Sequence, residues 1–338
     1  MTEPTPGSDE WRAQIQEPIV DPERDIVDPH HHLWGAARNP YLLVDLWLDT
    51  DSGHRISQTV FLECGANYRT SGPEHLLSVG ETEFVAGVAA RSREGKPGQA
   101  EIAAIVSRAD LRLAEAVEEV LAAHEAAASG LFRGIRHAGA RDPNPESLSI
   151  PGRAPAGLYE NADFRRGVKR LGELGYSYDT WHYHHQNREF IALAQALPDT
   201  PMVLDHFGTP LGVGPYAGQR EEIFIAWRED MAEIARCDNV VAKLGGLAMP
   251  DNGFGWDSNP RPPTSDEFVE LQRRYYLHTI ECFGPARCMF ESNFPVDKQS
   301  LSYHVMWNGM KKIVADFTES EKDAMFSGTA RRIYRIDA

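Results

Sequence analysis

Eight short apolar segments, separated by helical patterns, constrain the fold of this chain most strongly. Most of them lack the strict polar–apolar alternation of a half-exposed strand, which is typical of strands covered on both faces in a parallel sheet. The eight predicted strands are Asp25–His30, Gln58–Cys64, Phe84–Ala90, Leu131–His137, Tyr176–His182, Pro201–Phe207, Val240–Gly245 and Cys288–Asn293.

Helical patterns lie between many of these strands. They cover Asp110–Ala128, Asp163–Leu174, Arg188–Leu197, Glu221–Arg236, Ser265–Phe283, Tyr303–Ala315 and Thr318–Tyr334. The alternation predicts an α/β fold with a parallel sheet, and eight strands in 338 residues favour a (β/α)8 TIM barrel over an open sheet. Three Pro- and Gly-rich stretches predict long loops that distort the barrel: Arg141–Gly157, Gly208–Gly218 and Pro250–Thr264. Barrel enzymes build their active sites from the loops that follow strands.

The domain prediction is a polar N-terminal extension, residues 1–25, followed by a single barrel, residues 26–338. The net charge of −16 argues against nucleic acid or an anionic membrane as the main partner. No run of about 20 apolar residues is present, and the four cysteines form no CxxC motif. We therefore expect a cytoplasmic protein that binds a small-molecule substrate; a homodimer is compatible with the sequence, but no pattern indicates one.

The strongest local signal is the segment D-P-H-H-H-L-W at the end of the first predicted strand. Residues two apart in a strand point the same way, so His30 and His32 share a face and His31 lies on the other. Two imidazoles at the mouth of a barrel form half of a divalent metal site. The alternative is a histidine cluster that only makes hydrogen bonds in a loop.

Two further histidine segments end the fifth and sixth predicted strands, W-H-Y-H-H-Q and V-L-D-H-F-G. His206 follows an apolar run and should stand at the rim of the barrel, while His184 and Gln186 are candidates for contacting substrate. Each signal alone is typical of a structural residue. Histidines at the ends of strands one, five and six nevertheless converge on one mouth, which favours a site.

Charged residues inside apolar strands give a third set of candidates. Arg136, at the exit of the fourth strand, could grip a substrate carboxylate, or form only a surface ion pair. Glu63 and Lys243 interrupt apolar strands at a cost that requires a partner or ligand, and the alternative to function is that they pair with each other.

The segment F-E-S-N-F-P-V-D at the eighth strand supplies candidates for a general base. Glu291 and Asp297 could accept a proton or bind a metal, whereas the amide of Asn293 cannot act as a base. Trp256, in the Gly-bearing segment Asn252–Trp256, is a candidate lid over the substrate, with plain packing as the alternative.

From about Ile26 to the C-terminus, these residues in this order resemble the amidohydrolase superfamily, and more closely the amidohydrolase-2 group, which includes pyrone-dicarboxylate and sugar lactonases. The motifs that carry the resemblance are the H-x-H of His30 and His32, G-I-R-H at residues 134–137, Y-H-H-Q at Tyr183–Gln186, L-D-H-F-G around His206 and S-N-F-P-V-D at residues 292–297.

The resemblance implies a metal-dependent TIM-barrel hydrolase and assigns roles to matching positions. His30 and His32 match the pair that binds metal, or that holds the substrate carbonyl oxygen in metal-free lactonases. His206 matches a metal ligand or carbonyl-polarising residue, and Arg136 matches a substrate contact. Most of the superfamily has an Asp base at the eighth-strand position where this chain has Asn293, so Glu63, Glu291 or Asp297 would have to replace it.

The first hypothesis is therefore a hydrolase that opens a small, acidic lactone by water attack. His30, His32 and His206, with Glu63 as a fourth ligand, would hold Zn or Mn; without metal, the same imidazoles and Arg136 would stabilise the oxyanion. A non-oxidative decarboxylase of the same superfamily is the alternative enzyme, and a catalytically silent ligand-binding barrel, favoured by Asn293, is the alternative outside enzymes.

Overall fold

Eight parallel strands form the centre of the molecule in a computed structural model, which describes residues 3–35 and 40–337. They are β1 (Asp25–His31), β2 (Arg55–Leu62), β3 (Glu101–Ser107), β4 (Phe132–Arg136), β5 (Ser177–Thr180), β6 (Met202–Leu204), β7 (Val240–Leu244) and β8 (Cys288–Phe290). Each strand pairs with the next one in the chain, so the sheet order is the sequence order.

The chain that follows β8 closes the sheet against β1. The backbone N–H of His32 donates to the carbonyl of Phe294 at 2.8 Å, and the N–H of Asn293 donates to the carbonyl of His30 at 3.0 Å. The result is a nearly closed (β/α)8 barrel, which confirms the predicted fold class.

Helices surround the barrel and cover its outer face. They are α1 (Asp9–Arg12), α2 (Leu43–Thr50), α3 (Val79–Ser92), α4 (Val117–Ala127), α5 (Ala162–Glu173), α6 (Asn187–Ala196), α7 (Arg220–Ile234), α8 (Ser265–Phe283), α9 (Tyr303–Ile313), α10 (Glu319–Asp323) and α11 (Thr329–Tyr334). No helix in the described ranges combines the length and apolar character that crossing a bilayer requires.

The predicted third strand, Phe84–Ala90, is wrong, because this segment lies inside the helix α3. Buried residues in α3 include Thr82, Val85, Ala86 and Ala89, which recur at helical spacing. A short apolar run does not by itself distinguish a strand from a buried helix, and here its neighbours continue the helical period. The true third strand is β3, whose apolar run begins after Glu101.

Alternation along the strands places apolar side chains at the floor of the barrel and charged ones above them. Val203, Val241 and Met289 pack together inside the barrel with Tyr334 of α11. Two residues further along the chain come Lys243 within β7 and Asp205 and Glu291 directly after β6 and β8, all completely buried. Because residues two apart face the same way, the apolar floor and the charged layer share the interior.

The N-terminal extension packs against the barrel. Trp11 of α1 is completely buried, and its Nε1–H donates to the carbonyl of Asn259 at 2.8 Å. The N–H of Val20 donates to Oδ1 of Asn308 on α9, also at 2.8 Å. The extension is polar in composition, but it is held by buried contacts.

Candidate active site

A cavity of about 510 Å³ opens at the carboxyl ends of the strands. Its walls include Arg136 at the end of β4 and side chains from the segments that follow the strands, β3 excepted. The lining includes Trp181 and five polar side chains, those of His32, Glu63, Arg136, His206 and Asn293. The structure thus brings together five of the predicted site residues around one space.

Glu291 joins two histidines at the base of this cavity. Its Oε1 lies 2.7 Å from Nδ1 of His206, and its Oε2 lies 2.7 Å from Nδ1 of His30. The hydrogen bond from Nδ1 leaves Nε2 of His206 without a partner among the described residues, while the ring lines the cavity. A carboxylate that orients an imidazole in this way is the arrangement of a general base or of a metal ligand.

The position of His206 depends on an unusual backbone turn after β6. His206 and Phe207 have φ angles of 54° and 57°, so the predicted strand Pro201–Phe207 ends early, at Leu204. Gly246 faces the ring, and a Cβ there would lie 2.2 Å from Nδ1 of His206. A side chain at position 246 would therefore displace the imidazole.

Two buried aspartates that the sequence analysis did not single out complete the charged layer. Asp205 Oδ1 lies 3.1 Å from Nζ of Lys243, and Asp179 Oδ2 lies 3.2 Å from the same ammonium. The signal that could have found Asp205 is a charged residue next to an apolar run, the criterion that identified Glu63 and Lys243; Asp179 gives no such signal, because β5 reads S-Y-D-T.

Arg136 is engaged by acidic groups of the protein. Its Nε donates to Glu63 Oε1 at 2.9 Å, its Nη2 donates to the main-chain carbonyl of Glu63, and Nη1 lies 3.5 Å from Asp205. The idea that Glu63 and Lys243 pair with each other is wrong, because Glu63 pairs with Arg136 and Lys243 with the two aspartates. The guanidinium is therefore neutralised before any substrate enters.

Asn293 lines the cavity, and Asp297 lies behind it. Asn293 Nδ2 donates to Asp297 Oδ1 at 2.9 Å, and the N–H of Ala248 donates to Asp297 Oδ2 at 3.1 Å. Both oxygens of Asp297 are thus used to hold Asn293 and the backbone after β7. This geometry suits a supporting carboxylate better than the predicted base.

Four predicted substrate contacts lie away from the cavity surface. His184 Nδ1 accepts from the N–H of Leu211, and Gln186 bonds to the backbone of Gly139 and Arg141. Trp256 stacks on Phe254, in a different groove. Lys243 is completely buried beneath His30. The structure brings none of the four into the cavity lining.

Burial shifts the titration of the central groups. It raises the pKa of Glu291 to about 8 and lowers the pKa of His206 to about 3. It also lowers the pKa of His30 well below its usual range, an effect that the nearby Lys243 ammonium reinforces. Each shift disfavours a charged form in the barrel interior, so both imidazoles rest in the neutral form, which can accept a proton or bind a metal ion.

His30, His206 and Glu291 are the described residues whose ligand atoms lie close enough together to hold a metal ion, within 4.8 Å of one another. Neither oxygen of Asp205 nor Oε2 of Glu291 accepts a well-aligned hydrogen bond from any described residue, although Lys243 Nζ is 3.1 Å from Asp205 and His30 Nδ1 is 2.7 Å from Oε2. When ionised, the carboxylates of Glu63, Asp179, Asp205 and Glu291 carry four negative charges, against two positive charges on Arg136 and Lys243. This excess of two negative charges suits a divalent cation. Of the other predicted ligands, Glu63 bonds Arg136, while His32 places Nδ1 2.9 Å from the carbonyl of Leu62, a contact that leaves its Nε2 available as a ligand.

Comparison with known proteins identifies relatives that align with most of this chain. Uncharacterized protein y4mH of Sinorhizobium fredii is 32% identical over 92% of this chain and 98% of its own length. An L-fucono-1,5-lactonase of Burkholderia multivorans is 28% identical over 70% of this chain and 73% of its own length.

Solved structures share the fold. An amidohydrolase from Burkholderia multivorans, crystallised once with bound HEPES and once with bound zinc, superposes with TM-scores of 0.71 and 0.70. The sequence identity is 23%, and the superposition covers 92% of this chain and 99% of the solved chain. The family model described as amidohydrolase matches residues 27–336, which is nearly the whole barrel. This chain therefore belongs to the amidohydrolase family.

Proposed function

We propose that this protein hydrolyses a small lactone by attack of water on the ring carbonyl. The observation that carries the proposal is His206, whose Nδ1 is held by Glu291 while its ring lines a cavity of about 510 Å³. A cavity of this size accommodates a single sugar-sized ring. The L-fucono-1,5-lactonase relatives support the same reaction class.

We infer a neutral, hydroxylated lactone rather than the acidic one that the sequence suggested. The acidic substrate depended on a free Arg136, but this guanidinium is paired with Glu63 at 2.9 Å. No other described cation lines the cavity. Glu63 can accept hydrogen bonds from ring hydroxyls, and Trp34 and Trp181 offer apolar faces to the ring carbons.

The residues of the chain divide the chemistry between them. His206 Nε2 accepts the proton of the attacking water, and Glu291 stabilises the imidazolium that forms. The imidazolium then returns the proton to the ring oxygen as the ester C–O bond breaks. His32 lines the same cavity, and its imidazole stabilises the negative charge that develops on the carbonyl oxygen. If a divalent cation such as zinc were held by His30, His206 and Glu291, it would supply Lewis acidity, lower the pKa of water toward neutrality and replace His206 as the group that activates water.

A substrate panel tests the proposal with purified protein. Acid release is followed with L-fucono-1,5-lactone, an acidic pyrone lactone and a carboxylated aromatic acid, alongside elemental analysis before and after chelator treatment. We expect turnover of the neutral lactone. His206→Asn should lose at least about a hundredfold in kcat, since general bases contribute on the order of 100- to 10,000-fold.

The control is His278→Asn, because His278 lies on the outer surface of α8 and bonds only the carbonyl of Arg228 and the thiol of Cys282. It should keep wild-type kcat. Carbon dioxide release from the aromatic acid would replace the proposal with a decarboxylase. Ligand-dependent stabilisation without any turnover would replace it with a binding protein.

A further inference from the structure

We infer that Tyr334, at the opposite end of the barrel, is a positioning residue for the Glu291–His206 pair. It acts through Asp179 and Lys243, which connect the barrel floor to the cavity. The predicted effect on kcat rests on the proposed function. The inference gives a role to the helix α11, which the proposed mechanism does not use.

The connection begins at the Tyr334 hydroxyl. Tyr334 is completely buried in the floor of the barrel, and its O–H donates to Asp179 Oδ2 at 2.5 Å. The same oxygen accepts from Lys243 Nζ at 3.2 Å, while Asp179 Oδ1 accepts from the Ser177 hydroxyl at 3.0 Å. One carboxylate thus receives hydrogen bonds from both the C-terminal helix and the buried lysine.

Lys243 carries the connection to the site. Its ammonium lies 3.1 Å from Asp205, 3.3 Å from His30 Nδ1 and 4.0 Å from Glu291 Oε2. All of these groups are completely buried, so their charges are poorly screened. A single ammonium shared by three carboxylates takes the position at which their attractions balance.

The Tyr334 hydroxyl determines how strongly Asp179 attracts the ammonium. By donating a hydrogen bond to Asp179, it reduces the attraction that this carboxylate exerts on Lys243. Without the hydroxyl, Asp179 would hold the ammonium more closely, away from Asp205 and Glu291. Glu291 would then lose a compensating charge and orient His206 less well.

The surroundings of Tyr334 make a single-atom test feasible. Lys243 Nζ lies 5.5 Å from the centre of the Tyr334 ring, and the ring packs with Ala330 and Ile336 in the apolar floor. Tyr334→Phe keeps this packing and removes only the hydroxyl. Tyr178→Phe is the matched control, because Tyr178 is also buried on β5 but donates to the carbonyl of His137, at 2.8 Å.

The experiment measures kcat, KM and melting temperature for the wild type and both variants. We expect similar falls in melting temperature, but a fall in kcat of about tenfold with KM little changed for Tyr334→Phe alone, the range seen for supporting residues around active sites. Asp179→Asn combined with Tyr334→Phe should be no slower than Asp179→Asn alone, because Tyr334 acts through Asp179. A Tyr334→Phe enzyme with wild-type kcat would show that the ring only fills the floor, and would overturn the inference.

Crystal structures of the wild type and Tyr334→Phe give a readout that needs no substrate. The inference predicts that Lys243 Nζ moves toward Asp179 and away from Glu291 in the variant. An unmoved ammonium would overturn it. If the wild type opens no lactone, the proposed function fails, and the position of Lys243 still decides the inference.

Discussion

Two buried lysines in this molecule, Lys243 and Lys311, differ in whether carboxylates surround them. Lys243 is surrounded by Asp179, Asp205 and Glu291; burial alone would lower its pKa, but these carboxylates outweigh burial and raise it. Lys311 on α9 instead donates to the carbonyl of Asp21 at 2.7 Å and contacts His54 Nδ1 at 2.9 Å. No carboxylate of a described residue lies within ion-pair distance, and burial lowers the pKa of Lys311 to about 8.

Lys311 should therefore make folding pH-dependent in the alkaline range. Its folded pKa of about 8 lies below the ordinary 10.5, so the unfolded chain binds more protons between these values and stability rises with pH there. Below pH 8 the cost of burying the ammonium is present in full. In Lys311→Met this contribution to the pH dependence should vanish. Between pH 8 and 10.5, the wild type should therefore gain on the order of 2 kcal/mol in free energy of unfolding relative to the variant.

Urea unfolding of both proteins at several pH values between 7.5 and 10.5 checks this prediction. Other groups that titrate at alkaline pH contribute equally to the stability of both proteins, so their contributions cancel in the difference between the wild type and Lys311→Met. Parallel stability curves for the two proteins would contradict it.

At the scale of elements, the long loop after β4 forms part of the cavity wall because other loops hold it. Asp251, in the loop after β7, accepts from the N–H groups of Ser149 and Ile150 at 2.6 and 2.9 Å. The hydroxyl of Tyr183 donates to the carbonyl of Ile150 at 3.0 Å. Ser149 and Ile150 both line the cavity, so this clamp shapes the substrate site.

Asp251→Ala should loosen the loop and weaken substrate binding. The loss of two hydrogen bonds to a charged acceptor should raise KM about tenfold, equivalent to roughly 1.4 kcal/mol, with a smaller change in kcat. Trypsin should also cleave faster at the exposed Arg153 within this loop. Asp257→Ala, in the same region and without these bonds, serves as the control; equal cleavage rates in the two variants would rule the clamp out.

At the scale of the whole molecule, segments from both ends of the chain complete the barrel. Trp11 docks the N-terminal extension on the loop after β7, and Glu17 accepts from the N–H of Ser265 at the start of α8, at 2.8 Å. At the other end, Arg331 of α11 pairs with Asp25 of β1 at 3.0 Å. The barrel therefore depends on contacts between residues that are far apart in the chain.

Trp11→Ala tests how much the extension contributes. Removing a fully buried tryptophan should lower the free energy of unfolding by about 3 kcal/mol. Glu10→Ala, an exposed neighbour on α1, should change it by less than about 0.5 kcal/mol. Denaturant unfolding measures both, and a Trp11→Ala midpoint equal to that of the wild type would mean that the extension only rests on the surface.

Local patterns in the sequence determined much of this architecture. Seven of the eight strands were located because a buried strand leaves a continuous apolar run between turn residues. The segment Ser265–Phe283 was predicted as a helix with its exact bounds, and the T-E-S-E signal at Thr318 forms the expected capping box with Glu321. His30 and His32 lie together as the two-residue period requires, while His31 packs against Phe61.

Only the tertiary structure decided which charges meet. Glu63 pairs with Arg136 rather than Lys243, and Glu291 rather than Glu63 joins His30 and His206. Tyr334 reaches Asp179 across 155 positions of sequence, and no local pattern records such a contact. Periodicity reports which face of a strand is buried, but the register and closure of the barrel determine which buried faces come together, and with them the chemistry of the site.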